Sequence, residues 1–318
     1  MDNIVLTLAH YVPIFMLVVA RTIALTIQAP YLGTQTVPGM VRVAIALSLS
    51  FFYLLGTPNL PTELPATLFP YMLLLIQEFL VGVLFGFSAS IILLAIQAGG
   101  EIIDVQIGLS MVSQFNPQTK ARTTVIGKLM YQLALIVLIS SYAHLFMLRA
   151  YFKTFEIMPI GTFSFASNMA LAELIKITAQ LFDLGVQVAL PIIIVIFVVD
   201  FGLGMMNRVA PQINILELNF AMKPTTGAML IIVIFSTLLS LMEDFSYRMS
   251  ANAQNAVTAA AEGTRYRQQN ENERFKAQLE NEGVPEGFPI FKGLPDRGPI
   301  SPPEGTLEPS TTPGLNQE

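Results

Sequence analysis

The sequence predicts an all-α, polytopic integral membrane protein with about six apolar helices and a polar C-terminal tail. Of its 318 residues, 53% are hydrophobic and only 12% are charged, whereas soluble domains carry about 25% charged residues. The apolar residues are concentrated in long blocks, which indicates lipid as their surroundings. Residues 283–318 instead contain 8 Pro and 6 Gly, a composition that buries too little apolar surface to offset chain entropy.

Six apolar stretches define the expected helices. They cover residues 4–29, 41–56, 69–97, 125–148, 174–199 and 226–242. A helix needs about 20 residues to span a bilayer, and four stretches reach that length. The second is short and the sixth is at the lower limit, so we expect some of the six to form short or kinked hairpins. The first run has no preceding basic segment, so we expect it to stay in the mature protein rather than act as a cleaved signal.

Proline and glycine mark the expected helix ends. Pro30 and Pro38 separate the first two stretches, and Pro58 and Pro65 separate the next two, because proline lacks the backbone donor that a helix interior needs. We expect the pair Gly99-Gly100 to end the third helix. The basic residues of the flanking loops and of the tail give conflicting orientations, so the orientation in the membrane stays open.

Three regions are predicted from composition. Residues 1–248 form the membrane domain, residues 249–282 form a polar, helical extension rich in Ala, Gln, Glu and Arg, and residues 283–318 form a disordered acidic tail. Residues 243–318 hold 7 basic and 12 acidic side chains, so they account for the whole net charge of −5. Clustered basic residues that would bind nucleic acid are lacking.

Several ionisable residues lie within or beside the apolar stretches. They are Arg21, Glu78, Glu173, Lys176 and Asp183. Each costs about 2.5–3.5 kcal/mol in hydrocarbon on insertion scales, so each needs a partner or water. Structural ion pairs between helices or subunits are one interpretation, and a proton or ion pathway is the other. We favour the first, because no series of carboxylates or histidines lines one helix.

A stripe of small residues accompanies Glu78. Gly82, Gly86 and Ser90 follow it at steps of four, which places all four residues along one helical face. Small residues at this spacing let two membrane helices approach closely. The stripe therefore predicts a packing face that holds one buried acceptor.

Two segments have a mixed character. Residues 99–122 combine apolar and polar side chains, which suits either a re-entrant, pore-facing segment or a surface loop. Residues 211–224 are similar and follow Asp200 and Arg208, which share a face if the fifth helix continues.

Enzyme chemistry finds no support in the sequence. There are two His and no Cys, and the sequence has no HExxH, Walker A, GxGxxG or GxSxG motif. We predict no catalytic residue, no metal site and no cofactor.

Three segments resemble the FliR/SctT family of type III export-gate membrane proteins. In the first, Arg21, Pro30, Pro38 and Arg42 match the family's opening helices. In the second, the family's run after the third helix is matched by Gly100, Asp104, Gly108, Phe115 and Pro117. The third and most specific is similar to the family signature LP…D…G…R-x-A/S-P-Q-x-N. It is matched by Pro191, Asp200, Gly204, Arg208, Pro211, Gln212, Asn214 and Lys223.

The resemblance implies a multi-pass subunit of the bacterial inner membrane, within the flagellar basal body. It implies partners that are FliP-like, FliQ-like and FlhB-like, and a helical stack around a channel for unfolded export substrates. Residues 107–118 become a plug-like loop, formed by Gly108, Leu109, Met111, Phe115 and Pro117. Buried charges such as Arg21, Glu78 and Asp200 then become pairs across subunit interfaces, with Arg42 as a further buried charge.

Alternative functions remain open at this point. An injectisome export-gate subunit of the SctT type is the first alternative, because the residues after the signature depart from the flagellar pattern. A small-solute secondary transporter needs polar half-helix ends at the bilayer midplane, and no inverted repeat is apparent. A purely structural membrane scaffold is the third class.

Overall fold

A computed structural model of the protein describes residues 2–33, 37–57, 65, 67–110, 124–163, 168–212 and 214–281. Within these residues the regular secondary structure is helical. The helices are α1 (Asp2–Gln28), α2 (Gly39–Gly56), α3 (Leu68–Gln106), α4 (Val125–Ser140), α5 (Ala143–Ile157), α6 (Asn168–Val209), α7 (Ile215–Val233) and α8 (Phe235–Asn281).

Four helices are long and apolar enough to cross a membrane, namely α1, α2, α3 and α6. Two further pairs pass the same test together: α4 with α5, bent by 75°, and α7 with α8, bent by 64°. If each bent pair is one span, the number of spans rises to six. The prediction of an all-α membrane protein with about six apolar elements, some of them kinked, is confirmed. The tail predicted at 283–318 lies outside the described residues.

The central element of the bundle is α3. It packs against α1, α4, α6 and α8, and buried residues occur on all its sides between Glu78 and Asp104. A helix that is apolar all round is stable only when other helices or lipid surround it. The length of the third apolar stretch thus reflects a position in the core of the protein.

The expectation that Gly99-Gly100 ends the third helix is wrong, because α3 continues to Gln106. Both glycines are points where neighbouring helices cross closely. A Cβ on Gly99 would lie 2.7 Å from the Gly185 carbonyl oxygen of α6, and one on Gly100 would lie 2.7 Å from Cα of Gly127 in α4. The absent side chains serve helix packing here, which outweighs the weak helix propensity of glycine.

The fourth apolar stretch is broken between α4 and α5. Tyr142 adopts a left-handed conformation with φ of 58°, and the chain turns there. The hydroxyl of Tyr247 in α8 donates a hydrogen bond to the carbonyl of Ser141 at 3.2 Å. A backbone acceptor freed at the helix end is therefore satisfied by another helix.

The last helix crosses the boundary predicted at residue 249 without a break. Between residues 249 and 261, α8 buries a stripe of apolar side chains, most of them alanine, against the bundle. These are Met249, Ala253, Ala256, Val257, Ala260 and Ala261. α8 packs along α4, α5 and α6, so this part of the extension contributes to the core.

Candidate functional site

An ion pair between Arg21 of α1 and Glu78 of α3 occupies the interior of the bundle, and both side chains are 0% exposed. Nε of Arg21 donates to Oε2 of Glu78 at 2.7 Å, and Nη2 lies 2.6 Å from the same oxygen. The guanidinium also donates to the carbonyl of Met158 at 3.1 and 3.2 Å and lies 4.2 Å above the ring of Phe155. Oε1 of Glu78 accepts from the amide of Gly161 at 2.8 Å. Both charges thus have their partners within one chain.

The expectation that Arg21 and Glu78 pair across subunit interfaces is therefore wrong. It is also wrong for Asp200 of α6, which forms a 2.6 Å ion pair with Lys223 of α7. The physical reason lies in long-range folding. Met158 and Gly161 supply backbone groups from a segment far along the chain, and no side-chain pattern reveals that this segment returns to α1.

A hydroxyl network next to Arg21 was not predicted. The hydroxyls of Thr22 and Tyr151 lie 2.7 Å apart, and the Ser50 hydroxyl donates to Thr22 Oγ1 at 2.9 Å. All three side chains are buried. The network connects α1, α2 and α5, and it lies next to the ion pair that connects α1 to α3. Single hydroxyls in apolar helices commonly bond to their own helix, as Thr22 does to Val18 at 2.7 Å. The only signal in the sequence was that Thr22 follows Arg21 directly, and nothing linked Ser50 or Tyr151 to it.

The small-residue stripe of α3 faces α1. Gly82 lies against the Arg21 carbonyl and the Ala24 side chain, and Gly86 lies against Gln28. Ser90, at the end of the stripe, donates to the Phe87 carbonyl at 2.8 Å. It lines a cavity of about 220 Å³ at the end of α1.

The turn after α1 is held by aromatic residues. The Tyr131 hydroxyl of α4 donates to the carbonyl of Pro30 at 3.2 Å, and the ring of Tyr31 packs edge-on to His144 at 6.4 Å. Burial raises the pKa of Tyr31 to about 12, because the phenolate loses hydration. Beyond this turn, Arg42 is half-buried in the first turn of α2.

The carboxylate of Asp104 connects the end of α3 to the beginning of α4. Its Oδ2 accepts hydrogen bonds from the amides of Ile126 at 2.9 Å and Gly127 at 3.2 Å. These amides have no partner inside their own helix, and the helix dipole favours a negative group there. Asp104 thereby fixes the point at which the chain rejoins the bundle.

The segment predicted as a plug begins at Gly108. This glycine has φ of +82° and donates to the Val105 carbonyl at 3.2 Å, which ends α3 with a left-handed residue. Leu109 is half-buried and packs against the core. Met111, Phe115 and Pro117 lie outside the described residues.

The signature residues lie on the hairpin formed by α6 and α7. Pro191 is inside α6, the ion pair of Asp200 and Lys223 joins the two helices, and the Asn214 side chain accepts from the Glu217 amide at 3.5 Å to cap α7. The remaining members are exposed, namely Gly204, Arg208, Pro211 and Gln212. The signature residues therefore stabilise the α6–α7 hairpin and form its exposed connection, whose surface is available for contact.

The outer faces of the bundle are strongly apolar. Only 11% of α2 and 28% of the apolar part of α6 are buried. Large exposed side chains on α2 include Phe51, Phe52 and Leu55, and those on α6 include Phe197 and Phe201. Among the described residues no group of three His, Asp or Glu is placed to hold a metal ion. The arrangement combines a buried ion pair with an apolar exterior, and that exterior suits contact with lipid and with other proteins.

Comparison with known proteins agrees with this architecture. Residues 12–249 match the family described as bacterial export proteins, family 1. The chain is 31% identical to flagellar biosynthetic protein FliR of Escherichia coli over 226 residues, which are 71% of this chain and 84% of that protein. It is 28% identical to FliR of Bacillus subtilis, over 73% of this chain and 90% of that protein.

A relative with a different name is similarly close. Yop proteins translocation protein T of Yersinia pestis is 28% identical over 228 residues, which are 71% of this chain and 87% of that protein. The apolar helices and these relatives together indicate a multi-pass protein of the bacterial inner membrane. Because the family match covers both the Arg21–Glu78 core and the α6–α7 signature hairpin, this chain belongs to the FliR/SctT family of bacterial export proteins.

Proposed function

We propose that this chain is a subunit of the flagellar type III protein export gate in the bacterial inner membrane, where it helps to form the channel for unfolded export substrates. The observation that carries the proposal is the family match over residues 12–249, together with flagellar relatives at 28–31% identity. We expect its role within the export apparatus to be structural, because the buried charges of Arg21 and Glu78 pair with each other and hold the helices together.

The proposed partners are FliP-like, FliQ-like and FlhB-like subunits, within the flagellar basal body. The exposed apolar faces of α2 and α6 support this assembly, since they offer large contact surfaces while the charged core is closed. A subunit that keeps its charges inside and its apolar side chains outside can associate with helices of other subunits without first rearranging its core.

Residues 107–118 are proposed as the plug. Gly108 turns the chain away from α3 and Asp104 fixes its return at α4, so the segment is tethered at both ends to the central helix. Apolar Leu109, Met111 and Phe115 would close a narrow pore by dewetting. Deleting residues 108–116 is expected to raise ion leak through the assembled gate. Unchanged leak and unchanged export would remove the plug assignment.

Deletion of the gene tests the main proposal. We expect loss of motility and of secreted hook and filament proteins, with both restored by the full-length gene. Co-purification with the FliP-like and FliQ-like subunits is expected to give a large hetero-oligomer. Normal motility and normal filament secretion in the deletion strain would contradict a flagellar role.

The injectisome is the second candidate, favoured by the similarity to Yop proteins translocation protein T. In that case the deletion strain would stay motile and lose secretion of effector proteins into the medium. Solute uptake by the purified chain in liposomes would instead favour the transporter.

A further inference from the structure

A polar groove opens between α6 and α8, within the part of α6 that is otherwise apolar enough to cross a membrane. It encloses about 200 Å³. Its lining residues are Ile92 on α3, then Gln180, Asp183, Leu184 and Gln187 on α6, and Arg248 and Asn252 on α8. Two of the lining residues join α8 to α6, because the Asn252 amide donates a hydrogen bond of 2.9 Å to the Gln180 side-chain oxygen. Neither the signature nor the plug includes these residues.

Two carboxylates and one guanidinium lie in or beside the groove, since Asp183 and Arg248 line it and Asp244 lies next to Arg248. Arg248 forms an ion pair of 2.7 Å with Asp244 on its own helix. Asp183 accepts a hydrogen bond of 3.1 Å from the neutral amide of Gln187, and none of the ion pairs found in the described part of the chain includes it. With Arg248 and Asp244 paired to each other, Asp183 has no ion-pair partner among the described residues.

The surroundings of Asp183 make that charge costly. Phe182, Val186 and Leu190 are 71%, 45% and 47% exposed on the same helix, so an apolar surface borders the groove. A carboxylate that faces hydrocarbon is strongly disfavoured, because lipid tails offer it neither a charge nor a donor. Glu173, two to three turns earlier in α6, has Lys176 as its ion-pair partner. Asp183 is thus set apart from the nearest carboxylate of its own helix.

We propose that this groove docks a membrane helix of a partner subunit through a Lys or Arg side chain that pairs with Asp183. A cation satisfies the carboxylate, and the side-chain oxygen of Gln187 adds an acceptor for further N–H groups. The apolar border supplied by Phe182, Val186 and Leu190 excludes water around the pair, as at the centre of a protein interface. This inference rests on one part of the proposed function, namely that the chain is a subunit of a membrane assembly.

Charge variants with a matched control test the proposal. The chain is co-expressed with the neighbouring export-gate genes, and the complex is recovered through a tag on this chain. We expect Asp183→Asn to lower recovery of partner subunits at least fivefold, and Asp183→Lys to abolish it. Glu173→Gln and Glu173→Lys remove a carboxylate from the same helix and are expected to leave recovery unchanged. Equal recovery with all four variants would overturn the proposal and leave water or lipid in the groove.

Folding is checked separately, so that a misfolded variant is not mistaken for a docking defect. Each variant is purified alone, and its elution volume and melting temperature are compared with those of the parent chain. We expect no change, because the Asp183 side chain is exposed and its hydrogen bond is to its helical neighbour Gln187. Loss of partner recovery that occurs only together with loss of monomer stability would overturn the proposal.

Suppressor selection identifies the partner residue. Mutations that restore partner recovery to Asp183→Lys are expected to replace a Lys or Arg by Asp or Glu in an apolar helix of another subunit. Since the chain has no Cys, a Gln187→Cys variant can then be cross-linked to a Cys placed beside the mapped position. Suppressors confined to this chain, or no cross-link at the mapped position, would overturn the docking proposal. Partner recovery is measured independently of motility and secretion, so the outcome stands apart from the choice of export system.

Discussion

Arg21 and Glu78 illustrate how a helical membrane protein holds two full charges in its interior. Removing two ions from water costs several kcal/mol each, and their attraction compensates only when the geometry is good and the remaining polar atoms are bonded. Both conditions are met, because Met158 and Gly161 supply the additional hydrogen bonds. The pair therefore defines how α1, α3 and the end of α5 fit together.

Removing one member of this pair is expected to be far more damaging than removing both. Glu78→Gln leaves the Arg21 charge uncompensated, which lowers the free energy of unfolding by about 3–5 kcal/mol. The double variant Arg21→Met, Glu78→Met is expected to lose less, since no charge stays buried. Denaturant unfolding of the detergent-purified chain measures both. A double variant no more stable than Glu78→Gln would contradict this account.

Two glycines on different helices give a second prediction at the same scale. Gly100→Ala places a Cβ 2.7 Å from Cα of Gly127, so α3 and α4 must separate, at a cost of about 1–3 kcal/mol. Gly202→Ala is the control, because nothing lies within 4 Å of its added Cβ, and alanine favours the helix. Melting temperatures are expected to fall for Gly100→Ala and to stay level or rise for Gly202→Ala. Equal shifts would mean that the α3–α4 crossing tolerates the methyl group.

At the scale of elements, α8 shows that a polar composition can conceal a packed helix. The family match ends at residue 249, yet α8 continues to Asn281 and its alanine stripe is buried. Arg265 donates to the carbonyl of Ile157 at 3.3 Å, directly before the Met158 carbonyl that receives Arg21. The extension thus covers α5 and supports the segment that holds the buried ion pair.

Truncation distinguishes the packed part of this extension from the rest. Ending the chain after residue 281 is expected to leave the melting temperature unchanged. Ending it after residue 249 removes Ala253, Ala256, Val257 and Ala260 from the core, and we expect a lower melting temperature and protease cleavage in α5. Limited proteolysis with mass spectrometry locates the cuts. Identical protection of the two truncated chains would show that residues 250–281 are dispensable for the fold.

At the scale of the whole molecule, the Arg21–Glu78 and Asp200–Lys223 ion pairs form within one chain, while large apolar side chains stay exposed on the outer helices. Arg21 with Glu78 and Asp200 with Lys223 are paired internally, whereas α2 and α6 leave most of their surface exposed. Assembly with other subunits therefore adds contacts outside a core that is already formed.

Expression without partner subunits tests this division between core and exterior. We expect the purified chain in detergent to be a helical monomer that unfolds cooperatively, because its buried charges need no second protein. Light scattering coupled to size exclusion measures its mass, and circular dichroism follows its unfolding. A chain that gains a cooperative transition only when co-expressed with the other gate subunits would show that the core depends on them.

The sequence by itself determined the fold class, the family and the approximate positions of the apolar helices. These properties depend on composition, on hydrophobic length and on a local signature such as Pro191 to Asn214, all of which are readable along the chain. It also predicted that Gly82 and Gly86 form a packing face, since their spacing of four is a local property of one helix.

Only the tertiary structure decided which groups meet. Gly99 and Gly100 lie where α3 crosses two other helices and do not end α3. The crossing helices, α6 and α4, come from distant parts of the sequence. Arg21 and Glu78 found each other through contacts that include backbone groups near residue 160, and backbone groups carry no sequence signal. Likewise, only the structure shows that Asp183 has no ion-pair partner among the described residues, because whether a charge is paired depends on distances between helices.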